Sequence, residues 1–442
     1  MNRFKGKNIL CIYYKFPPIK GIGTIRNLRF YHSLKSEARK IFVLTTTNRH
    51  FLPQDEYNYL EKDVIEVPTV DYRSIYHFFT GKRSSLIVPD NAAGSSRILR
   101  FRKWFKDSIL SRFMDEGGSY YVNAGVKIAS KIIEEQGVDI IISSYSPFDS
   151  HLMAWKLKKK YPNLYWIADY RDFIGDPMLT NMSENSYLFK KNRQLLKDVD
   201  EVITVSQGLK ERIDLYHDHV KVVRNGIDAS LLPQQPISKY DLFTLAYTGI
   251  IYPHAQKADL LGRALSNLIS SGHIEVSHLQ FMHAGKDVMF WRSILEKYGL
   301  GQILVNHGIV PHKEALEIQR KSHVNLLLSW SSDKMKGILT GKLFEYIASG
   351  SPILALVNGI RDEEVENIIS GHGFGKVFYH KESELPALES YIFNLYQQWQ
   401  YRLQQPRINT VDHQKITSFL WETGFNRWAN NQRNSQSLKN SI

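Results

Sequence analysis

Two series of short apolar runs, each run flanked by helix-length segments, constrain this chain more than any other feature. The first series falls at 7–14, 41–45, 138–144, 164–168 and 201–205; the second falls at 243–247, 279–284, 303–306, 324–328 and 353–356. The runs lack polar–apolar alternation, so each strand must be covered on both faces. That is the pattern of parallel strands wrapped by helices, an α/β doubly wound domain. Helices are expected between the first two runs and over 122–136, 150–160, 258–271, 288–298, 312–321 and 341–349. A chain of 442 residues is too long for one ordinary core. Two Rossmann-like domains facing across a cleft follow, spanning 1–215 and 216–410. A last helical stretch at 411–432 and a polar tail at 433–442 complete the expected division.

Composition narrows the partners. No 18 apolar residues occur together, so no membrane span is expected. The single cysteine, Cys11, has no internal disulfide partner. The net charge of +13, from 57 basic and 44 acidic residues, favours anions. Between 81 and 113 eight Lys or Arg stand against two Asp, interleaved with Ile98, Leu99, Phe101, Trp104, Phe105, Ile109, Leu110 and Phe113. Cationic side chains invading an apolar arc suit an anionic membrane surface through 97–113, with an ordinary basic surface helix as the alternative. Nucleic acid is not expected as a partner, because zinc-finger and RNA-recognition signatures are missing. The location expected is cytoplasmic, peripheral on the cytosolic face of a membrane.

Ligands of open parallel sheets lie beyond the carboxyl ends of the strands, and the polar motifs fall there. Gly21 and Gly23 follow the first strand and let backbone N–H groups approach an anion, although a plain tight turn reads the same way. Asp169-Tyr170-Arg171-Asp172 closes another strand, where the alternative is a salt bridge within the triplet of charges. His151 lies near a strand end. Gly249 ends a strand of the second series, with Lys257 a short loop later. Gly285-Lys286 and Gly308-Ile309-Val310-Pro311-His312 close two more. The histidines show no metal-ligand spacing, so no metal and no cofactor are expected. In 341–354, GKLFEYIASGSPIL, the helix should stop at Gly350 before Pro352, and Glu345 shares an arc with Lys342 and Ser349. Taken alone, Glu345 is either half of an i,i+3 pair with Lys342 or a ligand.

The order of these motifs resembles the GT-B glycosyltransferases, of the retaining glycosyltransferase family 4 type. Tyr13 to Gly23 with Arg26 is similar to that family's opening glycine loop; Ser143 to His151, Trp166 to Asp172, Val202 to Ser206 and Arg224 to Asp228 follow in the family's order. Gly341 to Tyr346 with Gly350 to Ile353 is its strongest signature. The resemblance implies transfer of a sugar from a UDP- or GDP-sugar to a lipid-linked or polysaccharide acceptor with retention, in cell-surface polysaccharide synthesis. It implies that Glu345 binds the ribose hydroxyls and that Lys257 faces the diphosphate. Gly21, Gly23, Arg26, Gly249, Gly285, Ile309, Val310, Leu339, Thr340 and Lys342 complete the donor side, and Asp169, Arg171, Asp172 and His151 line the acceptor side as catalytic candidates. Two positions depart from the family. Gly337 stands where a first glutamate is usual, and Ile250 stands where an arginine often follows the strand-end glycine, leaving Lys286 or Arg26 as substitutes. A nucleotide-sugar epimerase of the same fold and a non-catalytic basic binding protein are the competing readings.

Overall fold

The computed structural model describes residues 2–19, 21–48, 61–70, 117–172, 187–232, 237–402 and 413–430. The first domain runs β1 (Asn8–Ile12), α1 (Ile22–Lys35), β2 (Lys40–Thr46), β3 (Val64–Val67), α2 (Gly118–Gln136), β4 (Ile140–Tyr145), α3 (Asp149–Lys160), β5 (Tyr165–Tyr170), α4 (Tyr187–Leu196), β6 (Glu201–Thr204), α5 (Gln207–Asp214) and β7 (Val220–Val222). The second runs β8 (Phe243–Thr248), α6 (Asp259–Ser270), β9 (Leu279–Ala284), α7 (Val288–Lys297), β10 (Leu304–Gly308), α8 (His312–Lys321), β11 (Val324–Ser331), α9 (Gly341–Ser349), β12 (Ile353–Gly359), α10 (Glu363–Ile369), β13 (Gly375–Tyr379) and α11 (Leu385–Arg402). Two short helices close the chain, α12 (His413–Ile416) and α13 (Trp421–Ala429). The basic segment 97–113 and the tail from 433 lie outside the described residues.

The strand orders are β3-β2-β1-β4-β5-β6-β7 and β10-β9-β8-β11-β12-β13, and every pairing is parallel. Two doubly wound α/β domains are therefore present. Successive residues of one strand serve opposite cores, which explains the unbroken apolar runs. From β1, Leu10 and Ile12 pack under α2 and α3, whereas Ile9 and Cys11 pack with Phe30 of α1. From β12, Leu354 and Leu356 point to one core and Ile353, Ala355 and Val357 to the other. Each fully buried Leu or Ile contributes about 1.5–3 kcal/mol of transfer free energy.

The chain crosses between the domains twice, side by side. Residues 223–228 form the first crossing, and the segment before α13 forms the second. Ile227 N–H donates to Phe419 O at 2.7 Å, and Trp421 N–H donates to Ile227 O at 2.9 Å. Helix α13 then packs Trp421, Phe425 and Trp428 into the core of the first domain around Phe4 and Phe30. Each sheet reverses its order at one point, between β1 and β4 and between β8 and β11. Crevices beyond the carboxyl ends at such points are where ligands of this architecture bind. No helix among the described residues is long and apolar enough to cross a membrane.

Candidate functional site

The second domain's wall of the cleft is built on α9. Its sequence stops as the residues dictate: Gly350 takes the left-handed conformation at φ 72°, and Pro352 follows. At the other end Thr340 supplies no side-chain cap, its hydroxyl is buried without a partner, and the first turn holds no acid. The partial positive charge of the helix start is thus left uncompensated. Lys342, in that first turn, turns toward the end of β8. Its Nζ donates to Tyr247 Oη at 2.7 Å and to Ile250 O at 3.1 Å, and lies over the Tyr247 ring. Burial pulls its amine down to about 8, against the pull of the Glu345 and Asp287 carboxylates.

The i,i+3 pair with Lys342, one of the two readings of Glu345, does not form; the two charges act on each other without contact. Glu345 instead accepts from His312 Nε2 on Oε1 and from Gln319 Nε2 on Oε2, both at 3.0 Å. Its side chain keeps 20% exposure. Arg29 of α1 feels its charge from the opposite domain, so Glu345 stands within electrostatic reach of the facing wall. The loops and helix start beyond these strands expose apolar side chains, with Ile250 and Tyr252 after β8, Met289 at the start of α7 and Ile309 after β10. Gly249 lies against the Lys342 stem, where an added Cβ would meet Cδ at 3.1 Å, and Gly285 packs on Gly249 O. Val310 packs beneath, against a small cluster that includes Met282 and Ile318. Leu339 is buried in the core under α9. Lys257 is exposed, and its charge acts on His380, just beyond β13. No contact joins it to Lys342 or Glu345 among the described residues.

The first domain's wall turns its charges inward. Arg26 and Asp169 form a salt bridge at 2.8 Å, each side chain 1% exposed. The guanidinium also donates to Val223 O and Asn225 Oδ1, and Ser144 Oγ donates to Asp169 Oδ2 at 3.1 Å. This knot ties α1, β4 and β5 to the first interdomain crossing. It takes Arg26 away from the donor side, where it was a candidate substitute for the missing arginine, and it uses the Asp169 carboxylate for support. His151 is wholly buried. Ser143 Oγ receives Trp166 Nε1–H and shares a 2.7 Å hydrogen bond with Nδ1 of the His151 ring. Burial, and then the Arg171 charge, drive it down to about 3. The ring packs against Tyr170 and Tyr145, which also stack on each other, and is wholly buried rather than lining the cleft.

Arg171, half-buried, and Asp172, exposed, complete that wall. Arg171 Nε donates to Tyr145 O at 2.6 Å, and its guanidinium lies on the backbone of Gly23, where an added Cβ would fall 1.6 Å from Nη1. Only glycine permits that approach. Gly21, two residues earlier, is exposed. Asp172 is exposed, and after burial it is the first charge to raise the Tyr252 phenol of the other domain. The acceptor-side expectation is therefore carried by Arg171 and Asp172 alone among the four catalytic candidates.

The space beside Gly337 is taken by a side chain from elsewhere in the sequence. Gly337 has φ 66°, and a Cβ there would lie 2.4 Å from Glu364 Oε2. That carboxylate accepts from the N–H groups of Gln207 and Gly208 at the start of α5, and from Arg224 Nη2 at 2.6 Å. A carboxylate from α10 thus occupies the space beside Gly337 while joining the two domains. Sequence reading missed Glu364, because Glu363, Glu364 and Glu366 pass for an ordinary acidic first turn. It also missed Gln319, although His312 and Gln319, seven residues apart, share one stripe of α8.

No family model matches the chain, and no curated protein matches it by sequence. Solved structures do resemble it in shape. Sucrose-phosphate synthase from Thermosynechococcus elongatus superposes with a TM-score of 0.57 at 13% identity, covering 96% of this chain and 98% of its own. The lipopolysaccharide outer core galactosyltransferase WaaB, in its apo form, gives 0.57 at 12% identity over 96% and 100% of the two chains. An E. coli trehalose-6-phosphate structure bound with UDP-2-fluoro glucose gives 0.54 at 12% over 96% and 99%. The fold is GT-B: two parallel-sheet α/β domains facing across a cleft.

Proposed function

We propose that this chain is a retaining glycosyltransferase of the family 4 type, which moves a sugar from a UDP- or GDP-sugar to a lipid-linked or polysaccharide acceptor. One observation carries the reading. At the β8–β11 switch point a partly exposed carboxylate, Glu345, stands one helical turn from a partly buried amine, Lys342, at the uncapped start of α9. A carboxylate suits the two hydroxyls of a ribose, and an amine with a helix start suits a diphosphate. The solved structures of like shape, one of them holding a UDP-sugar analogue, support the same assignment.

In this reading Lys342 and the start of α9 stabilise the charge that develops on the departing nucleoside diphosphate. Lys342 also supplies the cation missing at Ile250, since its amine already bonds the Ile250 carbonyl. Lys257, exposed on the same loop, adds a second positive charge. Gly21 and Gly23 close the anion cradle from the opposite wall, and Arg171 and Asp172 meet the acceptor there. No covalent nucleophile is invoked: the acceptor hydroxyl attacks the face that the diphosphate leaves, and Asp172 orients it or takes its proton. Cleft closure excludes water from the reacting sugar. Membrane-surface docking through 97–113 would bring the protein to a lipid-linked acceptor.

Thermal unfolding with UDP-, GDP-, ADP- and CMP-sugars tests the proposal. A rise confined to UDP- or GDP-sugars is expected, and no shift with any of the four would overturn it.

A further inference from the structure

We infer that His312 and Gln319 are positioning residues that hold the Glu345 carboxylate open for a ribose diol, so that the site distinguishes ribonucleotides from their 2′,3′-dideoxy forms. The inference rests on the nucleotide-sugar reading of the cleft and adds to it the two residues that set its selectivity for the sugar ring of the nucleotide.

Gln319 is 1% exposed, which is unusual for an amide unless the fold needs it there. Its backbone carbonyl accepts from Asn325 Nδ2 at 3.1 Å and from Ser351 Oγ at 3.2 Å, which fixes the root of the side chain. Its Nε2 is shared between Glu345 Oε2 at 3.0 Å and Thr248 Oγ1 at 2.8 Å. Its Oε1 is buried with no partner. Turning the amide over would aim that oxygen at the carboxylate, so the orphaned acceptor is the consequence of presenting N–H to Glu345. A buried unpaired acceptor is unfavourable, and the structure keeps it.

His312 completes the hold from the rim. It is 52% exposed, and its Nε2 must carry a hydrogen, because the carboxylate oxygen it faces can only accept. A carboxylate has about four acceptor positions. These two donors occupy one on each oxygen and leave one on each for a ligand. Lys342, three residues away, gives Glu345 no hydrogen bond. Its amine is bonded to Tyr247 and Ile250 instead. Two donors at 3.0 Å on separate oxygens fix the carboxylate plane.

Titration calorimetry of the full chain with UDP, GDP and their 2′,3′-dideoxy forms provides the test. The unmodified protein is expected to prefer the ribose form of whichever nucleotide binds by about tenfold or more. Gln319→Leu and His312→Ala should each bring that ratio down several-fold by weakening the ribose form alone. His312→Asn, which keeps a donor, should restore part of it. A merely structural role would weaken both forms alike. Should Gln319→Leu fail to fold, the exposed His312 carries the test. A ratio unchanged in the variants overturns the inference alone, whereas no binding of UDP or GDP by the unmodified protein overturns it together with the underlying reading.

Discussion

The two walls of the cleft hold similar residues and use them differently. On the first, Asp169 and Arg26 satisfy each other in the dark, and His151 is a neutral ring in a core. On the second, Glu345 is held by two donors that leave part of each oxygen uncovered, and Lys342 rests on a phenol and a carbonyl rather than on a carboxylate. A charged residue at a strand end is thus either a keystone or a ligand. What separates them is how much bonding capacity the fold leaves unfilled, which residue type and position do not report.

The contrast breaks most sharply through stability. Asp169→Ala strands a buried guanidinium and should cost about 3–5 kcal/mol in urea unfolding, whereas Glu345→Ala should stay within about 1 kcal/mol. His151 gives the next effect. Its folded value near 3 lies below its ordinary 6.5, so the stabilisation is complete above pH 6.5 and is lost as pH falls from 6.5 toward 3. Relative to His151→Gln, the unmodified protein should lose stability on the order of 4 kcal/mol over that window, read from melts at stepped pH. Glu345→Gln should leave the melt in place yet weaken UDP or GDP binding about 10–100-fold by calorimetry; an equal loss for Asp169→Asn, measured while folded, would erase the distinction between the walls. Smallest is the pH dependence of binding. With the Lys342 amine at about 8, affinity for the diphosphate should fall several-fold as pH rises from 7 to 9, and Lys342→Met should flatten that profile.

The strands of both interiors were legible because burial on two faces writes itself as unbroken Val, Ile and Leu. β7, with three residues, and the edge strands β3 and β13 were not, since short and half-exposed strands carry little pattern. The segment around Glu345 was legible for a local reason: helix, glycine stop and proline are neighbours in sequence. The Arg26–Asp169 knot was not, because its partners lie 143 residues apart and meet only through the sheet order β1-β4-β5. Lys342 shows how local rules yield. An i,i+3 pair is worth a few tenths of a kcal/mol, too little to hold the amine against a tyrosine oxygen and a carbonyl presented by another strand. Glu364 beside Gly337 is legible only once α10 and the β11–α9 loop are folded together.

The paired crossings at Ile227 and Leu420 act as the spine of a book. Two adjacent seams, with the Glu364 bonds beside them, would favour a swing of the covers about the line that joins them. Residues 413–430, far along the chain, therefore belong to the hinge as much as to the first domain's core. A chain ended at 402 would lose the second seam and join the sheets by one covalent tether, with the Glu364 bonds to Gln207, Gly208 and Arg224 beside it. The two halves of the site would then meet at an effective concentration set by that tether instead of by a hinge.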